Sequence, residues 1–415
     1  MHILHFSTSD KIGGSAKSAS RIHNGLNNKG ICSRMFVCDK SSNDKDIKEV
    51  SRNKFMKKFD YYSNKILQKF GIQYGFIPSS INLHNHPWII DADIIQLFNI
   101  HGGYFSFNLF NKIARTKPIV WRLSDLWPIT GHCAYPVNCD KWIEGCKSCP
   151  DLKSYPSIGI DTSNLLWERK RNSYLSANLS IIAPSSWTRD AAKLSPLLNG
   201  SKIHLVHNGI DTDLFQKIDR NKARKKLGIF EESRKAILFC AHVAFDNPRK
   251  GTDILLEALL KFKKRSDVFF IPVGVNSHKW LKKLPIDVYP IEFNNDLDFI
   301  KTTYSACDVV CVPSATDNLP NTILESMSCG KPIVAIDTGG IKDVILHNLT
   351  GLLSPPNDAK SLFNNLDFTL SNDEWRRKAG FNSRKIIMEN FSKDKEISSI
   401  IKIYENIIEE NNLTK

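Results

Sequence analysis

Short runs of consecutive apolar residues recur along the chain, separated by stretches whose apolar positions repeat every three to four residues. Such runs occupy 2–7, 33–37, 93–98, 236–241, 268–273, 288–291, 308–312 and 332–336, and others open at Pro118, Ser180 and Ile203. Strands buried on both faces read this way, as unbroken apolar runs without alternation. Between two of them, 320–328 reads as a helix, with Pro320 at its start and Gly330 as its stop. Strand, loop, helix, strand is a βαβ unit, and its repetition predicts an α/β protein with parallel sheets. Ligands of such sheets bind beyond the carboxyl ends of the strands, where the following helix begins. Other amphipathic runs lead to Leu26, start at Asp253, fill 51–70 and close the chain from Asp394 to Ile408. The turn signal Asn208-Gly209 marks a domain boundary. It gives a first domain of residues 1–207 and a second of 208–393.

The stretch Pro313-Ser-Ala-Thr-Asp-Asn-Leu-Pro-Asn-Thr-Ile-Leu-Glu-Ser-Met-Ser-Cys-Gly330 carries the densest candidate chemistry. The first-turn amides at Asn321 and Thr322 have no intrahelical acceptor and suit an anion. Asp317 and Glu325 bracket this turn, one in the loop and one in the helix, and suit the hydroxyls of a sugar nucleotide. Taken alone, the pair would read as a loop carboxylate and a helix surface charge. Arg249-Lys250, at the entry to the helix from Asp253, places fixed positive charge where a diphosphate could sit. Taken alone, it would read as a solvated pair. Gly13-Gly14, after the first strand, lets backbone approach a ligand closely, although a plain βα turn has the same form.

Length changes the picture little: 415 residues fit two or three domains. Charge changes it more. The formal net charge of +14 favours an acidic partner: nucleic acid, anionic lipid or a phosphorylated substrate. No RNA-recognition, helix-turn-helix or zinc-finger pattern accompanies it, which argues against nucleic acid. No apolar run reaches the roughly 18 residues of a membrane span. The opening Met1-His-Ile-Leu-His-Phe-Ser lacks a signal-peptide head and reads as the first strand of a cytosolic enzyme. In 51–70, Lys54, Lys57, Lys58, Lys65 and Lys69 interleave with Phe55, Phe59, Tyr62, Ile66 and Phe70. This pattern fits a helix lying on an anionic membrane, and equally a domain helix with an apolar core face. The spacing Cys133-x5-Cys139-x6-Cys146-x2-Cys149 matches a four-thiolate structural zinc site; free thiols or two disulfides are the alternatives.

The stretch 313–330 resembles the signature of the retaining glycosyltransferases of family 4, in which a Glu, seven residues and a second Glu precede a Cys-Gly. Asp317 stands for the first Glu, and Asn318-Leu-Pro-Asn-Thr322 replaces the usual Gly-rich turn. The segment Trp121-Arg-Leu-Ser-Asp-Leu-Trp-Pro128 resembles members of the capsule, colanic-acid and O-antigen type, with Ser124 in place of a family His and Asp125 kept. Lys250 matches a family Lys, while Ala244 replaces the Arg six residues before it. The resemblance implies the GT-B fold, two doubly wound, Rossmann-like parallel-sheet domains facing a cleft, with a closing helix at 394–415 returning to the first domain. It implies a nucleotide-sugar donor held by Gly13, Gly14, Arg249, Lys250, Asp317, Asn321, Thr322 and Glu325. Ser124, Asp125, Arg249, Lys250 and Asp317 would surround the reacting centre. Glu325 is expected near a ligand-facing helix start and outside any core. The implied reaction is sugar transfer with retained anomeric configuration, with no metal ion required for the chemistry. The implied acceptor is a polyprenyl-phosphate-linked saccharide, met by a cytoplasmic protein at the inner face of the plasma membrane. A GT-B protein that binds a nucleotide sugar without transferring it is the alternative that Ser124 and Ala244 raise.

Overall fold

The computed structural model describes residues 1–51 and 53–413 and divides into two compact units, Met1–His207 with Glu396–Lys415, and Asn208–Lys395. The segment 51–70 and the closing helix therefore each include residues outside the described ones, Arg52 in the first and Thr414 and Lys415 in the second.

The first unit is built on a seven-stranded sheet of β1 (His2–Ser9), β2 (Cys32–Asp39), β3 (Ile47–Glu49), β4 (Ile94–Leu97), β5 (Ile119–Arg122), β6 (Leu179–Ala183) and β7 (Lys202–Leu205), in the order β3-β2-β1-β4-β5-β6-β7. All pairings are parallel. Strands β4, β5 and β6 are buried along their whole length, which is why they appear in the sequence as unbroken apolar runs. Their order reverses direction of growth at β1 and β4, and the loops after β1, β4 and β5 meet at that switch point.

The last helix, Lys393–Leu413, completes this unit. Its Ile397, Ile400, Ile403 and Ile407 pack with Ile3, Ile22 and Leu26 in one buried cluster. The helix Gly14–Asn28 meets it closely, since a Cβ on Gly25 would stand 2.6 Å from the Ile397 side chain. The buried Glu396 carboxylate accepts from Arg122 at 2.8 Å and from Arg21 Nε at 2.7 Å.

The second unit holds a six-stranded parallel sheet of β8 (Lys235–Val243), β9 (Val268–Val275), β10 (Asp287–Val288), β11 (Val309–Val312), β12 (Ile333–Ile336) and β13 (Gly351–Ser354), in the order β10-β9-β8-β11-β12-β13. Apolar clusters cover both of its faces. β3 and β13 are absent from the sequence reading: one is a three-residue edge strand, and the other opens on Gly351.

Helix Lys54–Lys69 reverses the usual amphipathic arrangement. Its buried residues are Asp60 and Asn64, while Phe55, Phe59, Tyr62 and Ile66 are between 49% and 75% exposed. Asp60 accepts from the Ser51 hydroxyl at 2.6 Å and the Ser79 amide at 3.0 Å, and Asn64 accepts from the Tyr74 amide at 3.2 Å. The helix is held to the unit by polar contacts, and its aromatic side chains stay in water. The reading of 51–70 as a helix with an apolar core face does not hold.

Candidate active site

In the second unit the loop after β11 (Pro313–Pro320) leads into helix Asn321–Ser328, capped by Pro320. Beside it lies the turn Pro248–Lys250, followed by helix Thr252–Leu259. The two loops touch through backbone. The Ala315 amide donates to the Arg249 carbonyl at 3.0 Å. Gly251 has φ 72° and its Cα faces the Pro313 carbonyl so closely that a Cβ would collide with it. Gly339, at φ 57°, meets the Asp317 carbonyl in the same way. These two glycines permit the contact that brings Lys250 onto Asp317.

Asp317 is the focus. Lys250 Nζ forms a short ion pair with Oδ2, Arg249 stands 3.7 Å from Oδ1, and the Asn318 amide donates to Oδ1 at 3.1 Å. Burial pushes this carboxyl up, but the Lys250 ammonium, the Arg249 guanidinium and the hydrogen bonds outweigh it and hold it below the usual carboxylate range. The sequence-expected residues Arg249, Lys250 and Asp317 are thus brought together. Asn321 and Thr322 occupy the first turn of the adjoining helix. Ala244 is fully buried against Gly274, so no cation could be presented there, and Arg249 is the second positive charge of the group.

Glu325 departs from expectation. It is 5% exposed, and the Tyr304 hydroxyl donates to its Oε2 at 2.7 Å. The residue lies one turn into the helix on the side packed against Leu297–Ala306, so it is a nearly buried carboxylate with a fixed partner and not an exposed helix-start charge. Proximity of its carboxylate raises the Tyr304 phenol further than burial alone does.

In the first unit, Gly13, at φ 97°, precedes helix Gly14–Asn28. Ser15 Oγ and Ser124 Oγ share a hydrogen bond of 2.8 Å, joining the loop after β1 to the loop after β5. Asp125 is buried and takes the Trp127 amide on Oδ1 at 3.0 Å. Its Oδ2 meets His101 Nε2 at 2.8 Å, so Nε2 carries the proton when Asp125 is ionised. His101, from the loop after β4, is 3% exposed, and its Nδ1 has no hydrogen-bond partner among the described residues. Gly13, Gly14, Ser124 and Asp125 are thus gathered at the switch point, and His101 joins them. Residue pattern alone signals His101 only through its place in Asn99-Ile-His-Gly-Gly103, just after a buried strand.

His132 goes elsewhere. Its Nδ1 meets the Pro156 carbonyl at 3.0 Å and its Nε2 meets Cys149 Sγ at 3.2 Å. Cys133, Cys139, Cys146 and Cys149 line one small enclosure with it. Among the described residues, however, no group of three or more His, Cys, Asp or Glu side chains is placed to hold a metal ion, and all ten cysteines are free thiols. Cys146 Sγ takes the Gly131 amide at 3.0 Å and Cys149 Sγ meets His132 Nε2 at 3.2 Å. A buried lysine gives this loop order. Lys170 Nζ donates to the carbonyls of Trp127, Thr130 and Gly131 and lies 3.7 Å from the Trp127 ring centre. Burial pushes its ammonium down to about 7.

Residues 219–386 match the family model described as Glycosyl transferases group 1. The chain carries a group 1 glycosyltransferase domain. The arginine-lysine turn, Asp317 and Glu325 all lie within that domain. Beyond it, the chain is 25% identical over 299 residues to the Escherichia coli K12 protein named "Putative colanic acid biosynthesis glycosyl transferase WcaC", covering 67% of this chain and 69% of that one. It is 26% identical to the N-acetyl-alpha-D-glucosaminyl L-malate synthase of Bacillus anthracis, over 50% of this chain and 54% of that one. The fold is that of GT-B glycosyltransferases. HepE of Anabaena, solved with UDP-glucose, superimposes with a TM-score of 0.66 at 15% identity over 98% of this chain and 100% of its own. WaaG, a glycosyltransferase involved in lipopolysaccharide biosynthesis, does so at 0.65 and 16% over 96% and 99%.

Proposed function

We propose that this glycosyltransferase moves a sugar from a nucleotide-sugar donor to a lipid-linked saccharide in surface polysaccharide biosynthesis, with retention at the anomeric carbon. The observation that carries the reading is the Lys250–Asp317–Arg249 group at the carboxyl end of β11, beside a helix start in a group 1 domain. A donor diphosphate has its two negative charges met there by Lys250, Arg249 and the first-turn amides of Asn321 and Thr322. As the bond to the sugar breaks, charge builds on the leaving phosphate, and preorganised cations stabilise that state more than the bound donor. Asp317 fixes both cations in advance and offers its oxygens to sugar hydroxyls. Glu325 holds the ribose through a carboxylate kept in place by Tyr304. In the first unit, Ser124, Asp125 and His101 surround the acceptor side, Asp125 orienting His101 through their hydrogen bond. The leaving phosphate takes the acceptor proton, so the chemistry requires no metal ion.

A thermal-shift screen of the whole chain against UDP-, GDP- and ADP-sugars tests the reading directly. One nucleotide class should raise the unfolding midpoint, and at 100 times its Kd the gain is about 2.7 kcal/mol. The same nucleotide sugar should be slowly hydrolysed. Binding without hydrolysis or transfer would leave the nonenzymatic alternative, and no shift with any of them would remove both.

The acceptor's lipid brings the protein to a membrane, and helix Lys54–Lys69 suits that contact. No helix among the described residues is long and apolar enough to span a bilayer. This helix instead presents its aromatic side chains to solvent beside Lys54, Lys58 and Lys65, the pairing of apolar insertion and positive charge that anionic surfaces retain. Each lysine near such a surface contributes about 1 kcal/mol. Reversal of Lys54, Lys58 and Lys65 to Glu should release the protein from phosphatidylglycerol vesicles while leaving activity on a soluble acceptor intact. Equal sedimentation of the parent and the reversed protein would rule the helix out as the docking element.

A further inference from the structure

We propose that the second unit carries an accessory site for a lipid phosphate, a phosphate or diphosphate headgroup with an apolar tail, at the end of its sheet away from the Asp317 loop. The site is an open cavity of about 830 Å³. Its floor is made by residues that precede the strands: Asp308 stands before β11, Pro332 before β12, and Lys235 opens β8. The Asp317 loop follows β11 at the other end. The four residues of that strand span about 13 Å at 3.3 Å each, so the cavity is separate from the candidate donor site.

The lining holds eight Lys or Arg side chains against three carboxylates. Part of this charge is used internally. Arg220 pairs with Asp308 at 2.8 Å, Arg376 with Asp373 at 2.6 Å, and Lys331 donates to the carbonyls of Ser305 and Cys307. Arg384 donates to the Phe215 and Ser328 carbonyls. Lys217, Arg377 and Lys385 are exposed and form no ion pair among the described residues. Exposed Glu389, on the same helix, offsets part of this charge, yet eight basic side chains against three carboxylates leave the concavity net positive and suited to an anion, and arginine beside lysine suits phosphate oxygens.

The apolar part of the ligand follows from helix Asp373–Asn390. Arg377, Phe381, Lys385 and Met388 lie at spacings of four, four and three, on one face. Phe381 is 71% exposed and Met388 52% exposed, both lining the same cavity between the cations. A solvated basic helix face has no need of two large apolar side chains set among its charges. A nucleotide or inorganic anion would leave them wet, whereas an alkyl chain leaving a bound phosphate would cover them. This inference does not rest on the donor reading, because none of the residues overlap.

Titration calorimetry of the full chain with farnesyl diphosphate, a soluble prenyl diphosphate, tests the site. Binding should be saturable, and inorganic pyrophosphate should bind more weakly, by at least about tenfold, for want of a tail. Arg377→Glu/Lys385→Glu should weaken farnesyl diphosphate at least about tenfold, as two charge-assisted contacts are lost. Phe381→Ser/Met388→Ser should erase the preference over pyrophosphate. Lys250→Ala should leave this binding unchanged. All four altered cavity side chains are exposed, so the variants should keep the parent's circular dichroism. If the double charge reversal unfolds the chain, Arg377→Gln/Lys385→Gln is measured in its place. Loss of binding in Lys250→Ala would assign it to the donor site and overturn the proposal. Binding unaffected by the cavity variants, pyrophosphate bound as tightly as farnesyl diphosphate, or no saturable binding would overturn it as well.

Discussion

Lys250→Ala should reduce kcat/KM for sugar transfer by about 10- to 150-fold, the loss expected when a charged hydrogen bond of roughly 1.5–3 kcal/mol is removed. Two effects combine. The donor phosphate loses a cation, and Asp317, 6% exposed, loses its strongest partner and keeps Arg249 at 3.7 Å as its remaining cation, with the Asn318 amide and the Ser314 hydroxyl. Because that partner is part of what holds the Asp317 carboxyl low, the variant should also raise the pH at which activity falls on the acid side. The sign follows from the native state: Asp317 is ionised above its depressed pKa, so its contribution is present near neutral pH and lost only as pH falls through that value. Removing Lys250 moves this loss upward. Glu325 needs a gentler change than Lys250. Alanine there would leave the buried Tyr304 hydroxyl without its acceptor, at a cost of about 1–3 kcal/mol in stability. Glu325→Gln keeps an acceptor for Tyr304 and removes only the charge, so it should preserve the unfolding midpoint and abolish transfer. Steady-state rates against pH and a thermal melt separate the two. Full activity in both Lys250→Ala and Glu325→Gln would remove the donor assignment.

Glu396→Ala should destabilise the first unit by about 3–5 kcal/mol, since it leaves buried charge without its partner. Arg122 is 1% exposed and Arg21 approaches the same carboxylate from the neighbouring helix. Burial already pushes the Arg122 guanidinium down, with Glu396 opposing that shift. Without Glu396 the guanidinium keeps the Val206 carbonyl at 3.3 Å but loses the carboxylate that offsets its burial. Glu410 lies on the same helix and pairs with Lys202, but both side chains are more than half exposed. Glu410→Ala should therefore cost less than about 1 kcal/mol. Urea unfolding followed by tryptophan fluorescence should show an earlier first transition for Glu396→Ala and almost none of this shift for Glu410→Ala. Equal effects would mean that the helix is held by its isoleucines alone.

The contrast between these residues shows what a sequence reveals. The buried strands were legible because a parallel strand covered on both faces must be apolar throughout, as β11 and β12 are. Arg249, Lys250 and Asp317 were legible as separate motifs in a resemblance. Their meeting, across 67 residues between Lys250 and Asp317, was not, because it depends on Gly251 and Gly339 letting backbone pass at contact distance. Nothing in the local pattern around Glu325 announces Tyr304, 21 residues earlier, as its partner. His101 and Asp125 come from different strand ends, and only the adjacency of β4 and β5 makes them neighbours. The 51–70 helix was ambiguous because periodicity reports an apolar stripe but not which side faces the protein. Asp60 and Asn64 settle that by bonding inward. The cysteine spacing suggests a ligand set, and the fold brings all four cysteines to line one small enclosure.

The helix Lys393–Leu413 also sets a timetable for the newborn chain. The ribosome makes residues 1–207 first, yet Ile3, Ile22 and Leu26 find Ile397, Ile400 and Ile403 only after the whole second unit has been made. At 5–20 residues per second that interval is on the order of 10–40 s. During it, the first unit presents an apolar groove and an Arg122 guanidinium that still lacks the Glu396 carboxylate. The groove is a natural stop for a chaperone, and the arrival of helix Lys393–Leu413 acts as the latch. A chain cut short before residue 393 would keep an intact group 1 domain and still fail to mature, because the missing piece belongs to the half that was made first.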